Sequence, residues 1–270
     1  MIIVKFENKV KMPRLGLGVW QCGEKTEDAV KYALQAGYRL IDTAAEYGNE
    51  KAVGKAIRES GIPREKIFIT TKLWNSDIRK GRAKEAFFDS FKRLQTDYID
   101  MYLIHWPAEG FQKAWQDMTE IYHEGWVRAI GVSNFQIHHA KELENASDVI
   151  PFVNQIESHP YFNNQELIDY CLEHKIEVTA YSPLGSNENG LLEDPILMRI
   201  ARKYGKTVAQ VILRWNLQRG ITSIPKSVNK KRIEENINIF DFELSSGDMN
   251  KIFALNKNER VSADPDNFNF

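Results

Sequence analysis

Short apolar runs recur along the chain, each followed by a polar loop and a longer segment whose apolar residues fall every three or four positions. The runs cover residues 15–19, 39–41, 67–71, 101–104, 127–132, 152–155, 177–180 and 221–224. Runs this short, bounded by turn residues, read as buried strands. The segments between them read as helices. Ala83, Phe87, Phe91 and Leu94 mark one helical face, and Ala29, Val30, Ala33 and Leu34 mark another behind Thr26, a suitable N-cap. Leu167, Ile168, Cys171 and Leu172 follow Asn163 and Asn164, a further cap signal, and the apolar residues from Ala201 to Trp215 predict two helices around Gly205. Residues 2–12 alternate in character about Glu7-Asn8-Lys9 and predict a small β-hairpin ahead of the repeat.

Strict alternation of strand and helix implies a parallel sheet with crossover helices. Eight such units predict an α/β fold of the (β/α)8 TIM-barrel type, with residues 1–270 forming one domain. An open doubly wound sheet is the alternative, but Gly16-Leu17-Gly18-Val19-Trp20-Gln21 lacks the third glycine of a dinucleotide fingerprint. Beyond the eighth run, Ile233 to Phe240 and then Leu244, Met249, Ile252 and Leu255 predict an extra C-terminal helical segment. The tail, residues 262–270, is irregular, and its Phe268 and Phe270 are expected to pack at the barrel mouth.

Composition narrows the function. The 270 residues are 43% apolar and 27% charged, with a formal net charge of −1. Such a chain offers no field for nucleic acid or an anionic membrane surface. Cys22 and Cys171 form neither a disulfide framework nor a metal-ligand spacing. The N-terminus lacks the apolar core of a signal peptide, and no run approaches a membrane span. A cytoplasmic protein is expected, with monomer as the default. The six histidines show no paired-ligand spacing, so no metal is expected, and His138-His139 look solvated on a helix.

The strand ends carry the candidate chemistry. Asp42 follows the second run and Tyr47 lies on its loop; Lys72 follows the third run and His105 the fourth. Each alone has a plain structural reading, but equivalent positions of successive units all face the active end of a barrel. A phenol titrates near ~10 when unperturbed, and an adjacent ammonium would lower that value. A carboxylate would hold the ammonium in place, and an imidazole could orient a carbonyl oxygen. The set suits protonation of an oxygen during carbonyl reduction, with the hydride coming from a nicotinamide. Trp20, Trp74 and Trp106, each just past a strand end, are expected to wall the substrate pocket.

The second half supplies a cofactor site. Ser133, Asn134 and Gln155 could clamp a carboxamide, although Ser133 or Asn134 could equally cap the next helix. Tyr181, ahead of Ser182-Pro183-Leu184-Gly185, could stack on a nicotinamide or simply pack. After the eighth run, Lys226, Ser227 and Arg232 lie where barrels often bind phosphate, at the start of a short extra helix. These cations favour NADPH/NADP+ over NADH through a ribose 2′-phosphate.

With these residues assembled, the chain resembles the aldo-keto reductase family from end to end. The matching motifs are Gly16-Leu17-Gly18-Val19-Trp20, residues 42–50 from Asp42 to Glu50, Thr71-Lys72-Leu73-Trp74, Leu103-Ile104-His105-Trp106-Pro107, Gly131-Val132-Ser133-Asn134-Phe135 and Ile224-Pro225-Lys226-Ser227. The resemblance implies a (β/α)8 barrel that uses NAD(P)H without a Rossmann fold, with Asp42, Tyr47, Lys72 and His105 as its catalytic tetrad. It implies nicotinamide contacts from Ser133, Asn134, Gln155 and Tyr181, and cofactor contacts from Ser182 and Leu184. It also implies 2′-phosphate and adenine contacts from Lys226, Ser227, Arg232, Glu235 and Asn236. The brief loop after Pro107 and the short tail resemble the short bacterial branch of methylglyoxal/glyoxal and 2,5-diketo-D-gluconate reductases. The partner is then a small-molecule carbonyl substrate, met in an open pocket. A non-catalytic nicotinamide-binding regulatory subunit is the alternative, and a sugar-phosphate isomerase or lyase a weaker one.

Overall fold

The strands are set by apolar side chains, yet their backbone ladder runs on through the polar residues that end them. The computed structural model describes residues 2–187 and 190–270. A hairpin comes first, β1 (Ile3–Lys5) pairing antiparallel with β2 (Lys11–Pro13). Eight parallel strands follow: β3 (Leu17–Gly18), β4 (Leu40–Asp42), β5 (Phe68–Leu73), β6 (Ile99–Ile104), β7 (Val127–Ser133), β8 (Val153–Glu157), β9 (Glu177–Tyr181) and β10 (Thr222–Ser223). Each pairs with the next in chain order. Helices α1 (Thr26–Ala36), α2 (Glu50–Glu59), α3 (Asn75–Arg79), α4 (Ala83–Leu94), α5 (Phe111–His123), α6 (Ile137–Ala146), α7 (Gln165–Glu173), α8 (Pro195–Tyr204) and α9 (Val208–Gln218) connect them. After β10 come α10 (Lys230–Ile237) and α11 (Ser246–Phe253), the extra helical segment read from the sequence.

The first and last barrel strands meet at a seam. Leu15 bridges Ser223 and Gly18 bridges Lys226, both parallel. Gly16 N–H donates to the Ser223 carbonyl at 2.9 Å and Gly18 N–H to the Pro225 carbonyl at 3.2 Å. A Cβ on Gly18 would lie 2.8 Å from the Ile224 carbonyl oxygen, so only glycine allows this approach. The sheet thereby closes into a (β/α)8 barrel. The hairpin plugs its N-terminal end: Val4, Phe6 and Met12 pack with Leu40, Phe68, Met101, Leu103 and Val153. Each such side chain contributes about 1.5–3 kcal/mol of burial. Among the described residues, no helix is long and apolar enough to cross a membrane.

Three local readings are corrected. Strands β4, β5 and β8 run one to two residues past the ends read from apolarity. Asp42 and Lys72 therefore lie inside the ladder, because parallel pairing needs backbone groups rather than apolar side chains. Thr26 does not cap α1: a 3-10 turn at Gly23–Lys25 leads straight into the helix, and the Thr26 hydroxyl donates to the Gly23 carbonyl at 2.7 Å. At α7 the capping side chain is Asn163, which accepts from Gln165 N–H at 3.3 Å, while Asn164 sits left-handed at φ 50°. Gly205, left-handed at φ 63°, divides α8 from α9 as its position predicts.

Candidate active site

Parallel register brings the ends of β4, β5 and β6 side by side, and with them the four candidate catalytic groups. Lys72, fully buried, donates from Nζ to Asp42 Oδ1 at 2.5 Å and to the Thr43 carbonyl at 3.0 Å. The same Nζ lies 3.4 Å from the Tyr47 hydroxyl. The Tyr47 and His105 rings meet edge to face at 5.6 Å between centroids. His105 is 8% exposed, and its Nδ1 is buried without a hydrogen-bond partner. All four sequence-predicted groups thus come together.

The loop that carries Tyr47 is held by residues that the motif contains but whose roles the sequence reading did not assign. Asn49 is buried; its Oδ1 accepts from Thr43 Oγ1 at 2.7 Å, and its Nδ2 donates to the Val19 carbonyl at 2.9 Å and to Thr26 Oγ1 at 3.3 Å. Glu50, also buried, accepts from Thr71 Oγ1 at 2.5 Å and from Arg93 Nε at 2.6 Å. These bonds tie the loop to β3, α1 and β5, the neighbours that set where the phenol sits. The only signal in the sequence is two polar residues opening an amphipathic helix. Asn49→Ala is expected to lower stability by about 1–3 kcal/mol through the orphaned partners, and to lower turnover as Tyr47 loosens. Urea unfolding and steady-state kinetics check the two effects.

Electrostatics corrects one expectation. Burial, and secondarily the Asp42 carboxylate, push the Tyr47 phenol well above its ordinary range, instead of Lys72 lowering it. Burial is the larger cause, and Asp42, 2.5 Å from Lys72 Nζ, adds to it. Tyr47 is therefore protonated at neutral pH, the state a proton donor requires. Burial, reinforced by the Lys72 charge, holds His105 well below its usual value and so neutral. Within the pair, burial pushes Asp42 up and Lys72 down, each opposed by the other's charge.

The other predicted residues fall into two groups. Ser133, Asn134, Gln155 and Tyr181 converge at the ends of β7, β8 and β9. Ser133 Oγ donates to the Gln155 carbonyl at 2.8 Å, Asn134 Nδ2 to the His105 carbonyl at 3.0 Å, and Tyr181 hydroxyl to Asn134 Oδ1 at 2.7 Å. The helix-cap alternative for Ser133 and Asn134 fails, since Gln136 caps α6. Ser182 is left-handed at φ 44°, a strained turn for a non-glycine residue, and Leu184 packs half-buried against the core. Lys226 and Ser227 precede α10 and Arg232 lies in its first turn, whereas Glu235 and Asn236 lie in its last turn. Ser227 Oγ accepts from Asn229 N–H at 3.1 Å, and Asn229 Oδ1 caps Arg232 N–H at 3.1 Å. Glu235 lies 3.8 Å from Lys231, whereas exposed Lys226 and Arg232 have no ion-pair partner among the described residues. Two free cations at a helix N-terminus fit an anion such as a phosphate.

The tryptophans do line the mouth. Trp20, 51% exposed, packs on Tyr47 at 4.9 Å, and Trp74 on His105 at 5.1 Å. The tail continues this wall: Phe270 lies parallel to Trp74 at 5.8 Å and edge-on to Trp106 at 5.1 Å, and Phe268 packs on Trp106 at 5.2 Å. Arg79 Nη2 and Asn75 Nδ2 hold the Phe270 carbonyl at 2.8 and 3.2 Å. Buried Glu157 accepts Val261 N–H at 2.6 Å and Ser262 N–H at 3.1 Å, anchoring the start of the tail at the end of β8.

Beside the mouth, a groove of about 520 Å³ lined by Arg79, Glu109, His138, Asp266 and Phe268 includes none of the four catalytic candidates. There His138, His139 and Asp266 bring potential metal-ligating atoms within 4.8 Å of one another. His139 is buried against Phe111 and Phe135 rather than solvated as expected, and its Nδ1 accepts Gln136 N–H at 3.1 Å. Its Nε2 then carries the proton and offers no lone pair to a metal, and it lies 3.6 Å from Asp266 Oδ1, with His138 Nε2 at 3.1 Å.

The chain is similar to known proteins along its length. The sequence profile of the Aldo/keto reductase family matches residues 14–257. The 9,11-endoperoxide prostaglandin H2 reductase of Trypanosoma cruzi (strain CL Brener) is 50% identical over 269 residues, covering 98% of this chain and 95% of that one. The glyoxal reductase of Bacillus subtilis (strain 168) is 50% identical over 270 residues, covering 99% and 97%. The crystal structure of MGS-M4, an aldo-keto reductase from a Medee basin deep-sea metagenome library, superposes with a TM-score of 0.96 at 43% identity, covering 99% of this chain and all of that one.

Proposed function

The chain belongs to the aldo/keto reductase family, and from that premise we propose that it is an NADPH-dependent reductase of small aldehydes and ketones. The observation that carries the reading is the placement of Tyr47 at the barrel mouth, its hydroxyl 3.4 Å from buried Lys72 Nζ, which Asp42 holds at 2.5 Å, and its ring edge to face with His105 at 5.6 Å. Glyoxal and methylglyoxal are the proposed substrate type, with keto-sugars also fitting an open mouth.

A reduced nicotinamide, when bound, supplies the hydride that the side chains cannot. Tyr181 offers a ring face, and Ser133, Asn134 and Gln155 offer polar groups, for its carboxamide-bearing end. Lys226, Ser227 and Arg232, with the open N–H groups of α10, suit a 2′-phosphate. Ser182, Leu184, Glu235 and Asn236 complete the proposed contacts. His105, kept neutral, orients the carbonyl oxygen. As charge builds on that oxygen, Tyr47 gives it the phenolic proton. Lys72 acts at this moment: it stabilises the phenolate being formed, while Asp42 keeps the ammonium aligned. Solvent then returns a proton to Tyr47, and the product leaves as an alcohol.

Absorbance of NADPH during incubation with methylglyoxal, glyoxal, aryl aldehydes and keto-sugars tests the reading. Oxidation matched by alcohol formation is expected. Binding of NADPH without turnover across the panel would instead favour a regulatory subunit. Neutralising Lys226 and Arg232 together is expected to weaken NADPH by about 1.5–3 kcal/mol per lost charged hydrogen bond, and NADH far less. The difference should shrink at high salt, since both side chains are exposed. Equal losses for the two cofactors in a fluorescence titration would remove the 2′-phosphate assignment.

A further inference from the structure

We propose that Gln155 is a positioning residue for the reduction itself, holding the Asp42 carboxylate so that Lys72 stays aligned on Tyr47. The inference rests on the functional reading above and goes beyond a cofactor contact.

Asp42 has two oxygens and two strong partners. Oδ1 takes Lys72 Nζ at 2.5 Å, and Oδ2 takes Gln155 Nε2 at 2.6 Å. The second bond crosses the barrel: β8 stands four strands from β4 in a closed sheet of eight, so Gln155 reaches Asp42 from the opposite wall. No residue near Asp42 in sequence does this, as Gln155 is 113 positions away. Gln155 is itself fixed. It is 3% exposed, and its carbonyl accepts Ser133 Oγ at 2.8 Å and Asn134 N–H at 2.9 Å. The carboxylate decides which end of the amide faces it, since only the NH2 end can donate. Among the described residues no donor reaches Oε1, which leaves that oxygen able to accept from a nicotinamide carboxamide. One side chain thus joins the cofactor end of the site to the Asp42–Lys72 pair. A buried carboxylate bound only by lysine could turn about its Cβ–Cγ bond, and the ammonium would follow it away from the phenol.

The charged or titratable groups that face Asp42 are Lys72 from β5 and Tyr47 from the loop after β4; His105 and Glu50 act on it through Lys72. Without the Gln155 N–H, the buried carboxylate is harder to ionise. Gln155→Met keeps the length and removes the amide. At saturating NADPH it is expected to lower kcat for methylglyoxal about 10–100-fold, a fraction of a full general-acid contribution, with little change in KM. The acid limb of its kcat profile should move up by about one pH unit.

The cofactor-free protein gives an independent readout. Asp42 ionises as pH rises, so loss of the donor should cost Gln155→Met more at pH 8 than at pH 5, with its melting temperature about 2–4 °C below wild type at the higher pH. Gln155→Glu provides a second handle: protonated, it can still donate to Asp42, so at saturating NADPH its kcat should exceed that of Gln155→Met at low pH and fall as pH rises and the new acid ionises against Asp42. If Gln155 touches only the cofactor, Gln155→Met raises the Kd for NADPH, measured by fluorescence, while saturated kcat, the acid limb and the pH dependence of melting stay as in wild type. That outcome, or a Gln155→Glu profile parallel to wild type, overturns the proposal. A wild-type protein that reduces no carbonyl defeats the functional reading instead, and the melting experiment still decides whether Gln155 holds Asp42.

Discussion

Tyr47→Phe should lower kcat for carbonyl reduction by about 10²–10⁴-fold, the range of a positioned general acid, while NADPH affinity stays largely intact. The variant removes one oxygen and keeps the ring, so the contacts with Trp20 and His105 survive. Neither neighbour replaces the phenol as an acid. His105 is held neutral by burial and by the Lys72 charge, and Lys72 is committed to Asp42 and the Thr43 carbonyl. Stopped-flow measurement of NADPH oxidation with methylglyoxal, beside a fluorescence titration of NADPH, separates the two effects. Turnover near the wild-type rate in Tyr47→Phe would show that the proton comes from elsewhere.

The second large effect concerns stability as well as rate. Lys72→Met leaves the Asp42 carboxylate buried and unpaired by any cation, which is expected to cost about 3–5 kcal/mol. Asp42→Leu in the same chain removes the stranded charge. The double variant should recover most of the stability, since well-packed apolar pairs often replace buried ion pairs at little cost. It should not recover activity, because the phenolate formed in the reaction has lost its ammonium. Urea unfolding of the two single variants and the double gives the coupling directly. Double-variant activity near wild type would mean that Lys72 serves folding alone.

The barrel was legible because each strand run is short, apolar and followed by a helical period, and that rhythm fixes the connectivity. Asp42, Tyr47, Lys72 and His105 were legible for the same reason: they occupy matching points of consecutive units. Strand ends were misjudged where polar residues such as Asp42, Lys72 and Glu157 continue the ladder, since apolarity records burial and not backbone pairing. The electrostatic sign at Tyr47 was also beyond the sequence. Proximity of a lysine predicts a lowered phenol, but the result depends on the 2.5 Å pairing of that lysine with Asp42 and on desolvation. The bond from Gln155 to Asp42 could not be read at all, because it depends on closure of the barrel and joins residues 113 positions apart. The same holds for Glu157, whose partners Val261 and Ser262 lie in the tail.

The seam between β3 and β10 has a consequence for biosynthesis. Gly18 cannot find its partner Lys226 until that residue has left the ribosome, roughly 10–42 s after Gly18 at about 5–20 residues per second. Throughout that interval β3 is a strand with one unsatisfied edge, open to pairing with other nascent chains. Closure then joins Gly18 to the residue proposed to hold the 2′-phosphate, so a ligand that grips Lys226 also clamps the seam. NADPH present during translation should therefore raise the yield of folded protein as well as its activity.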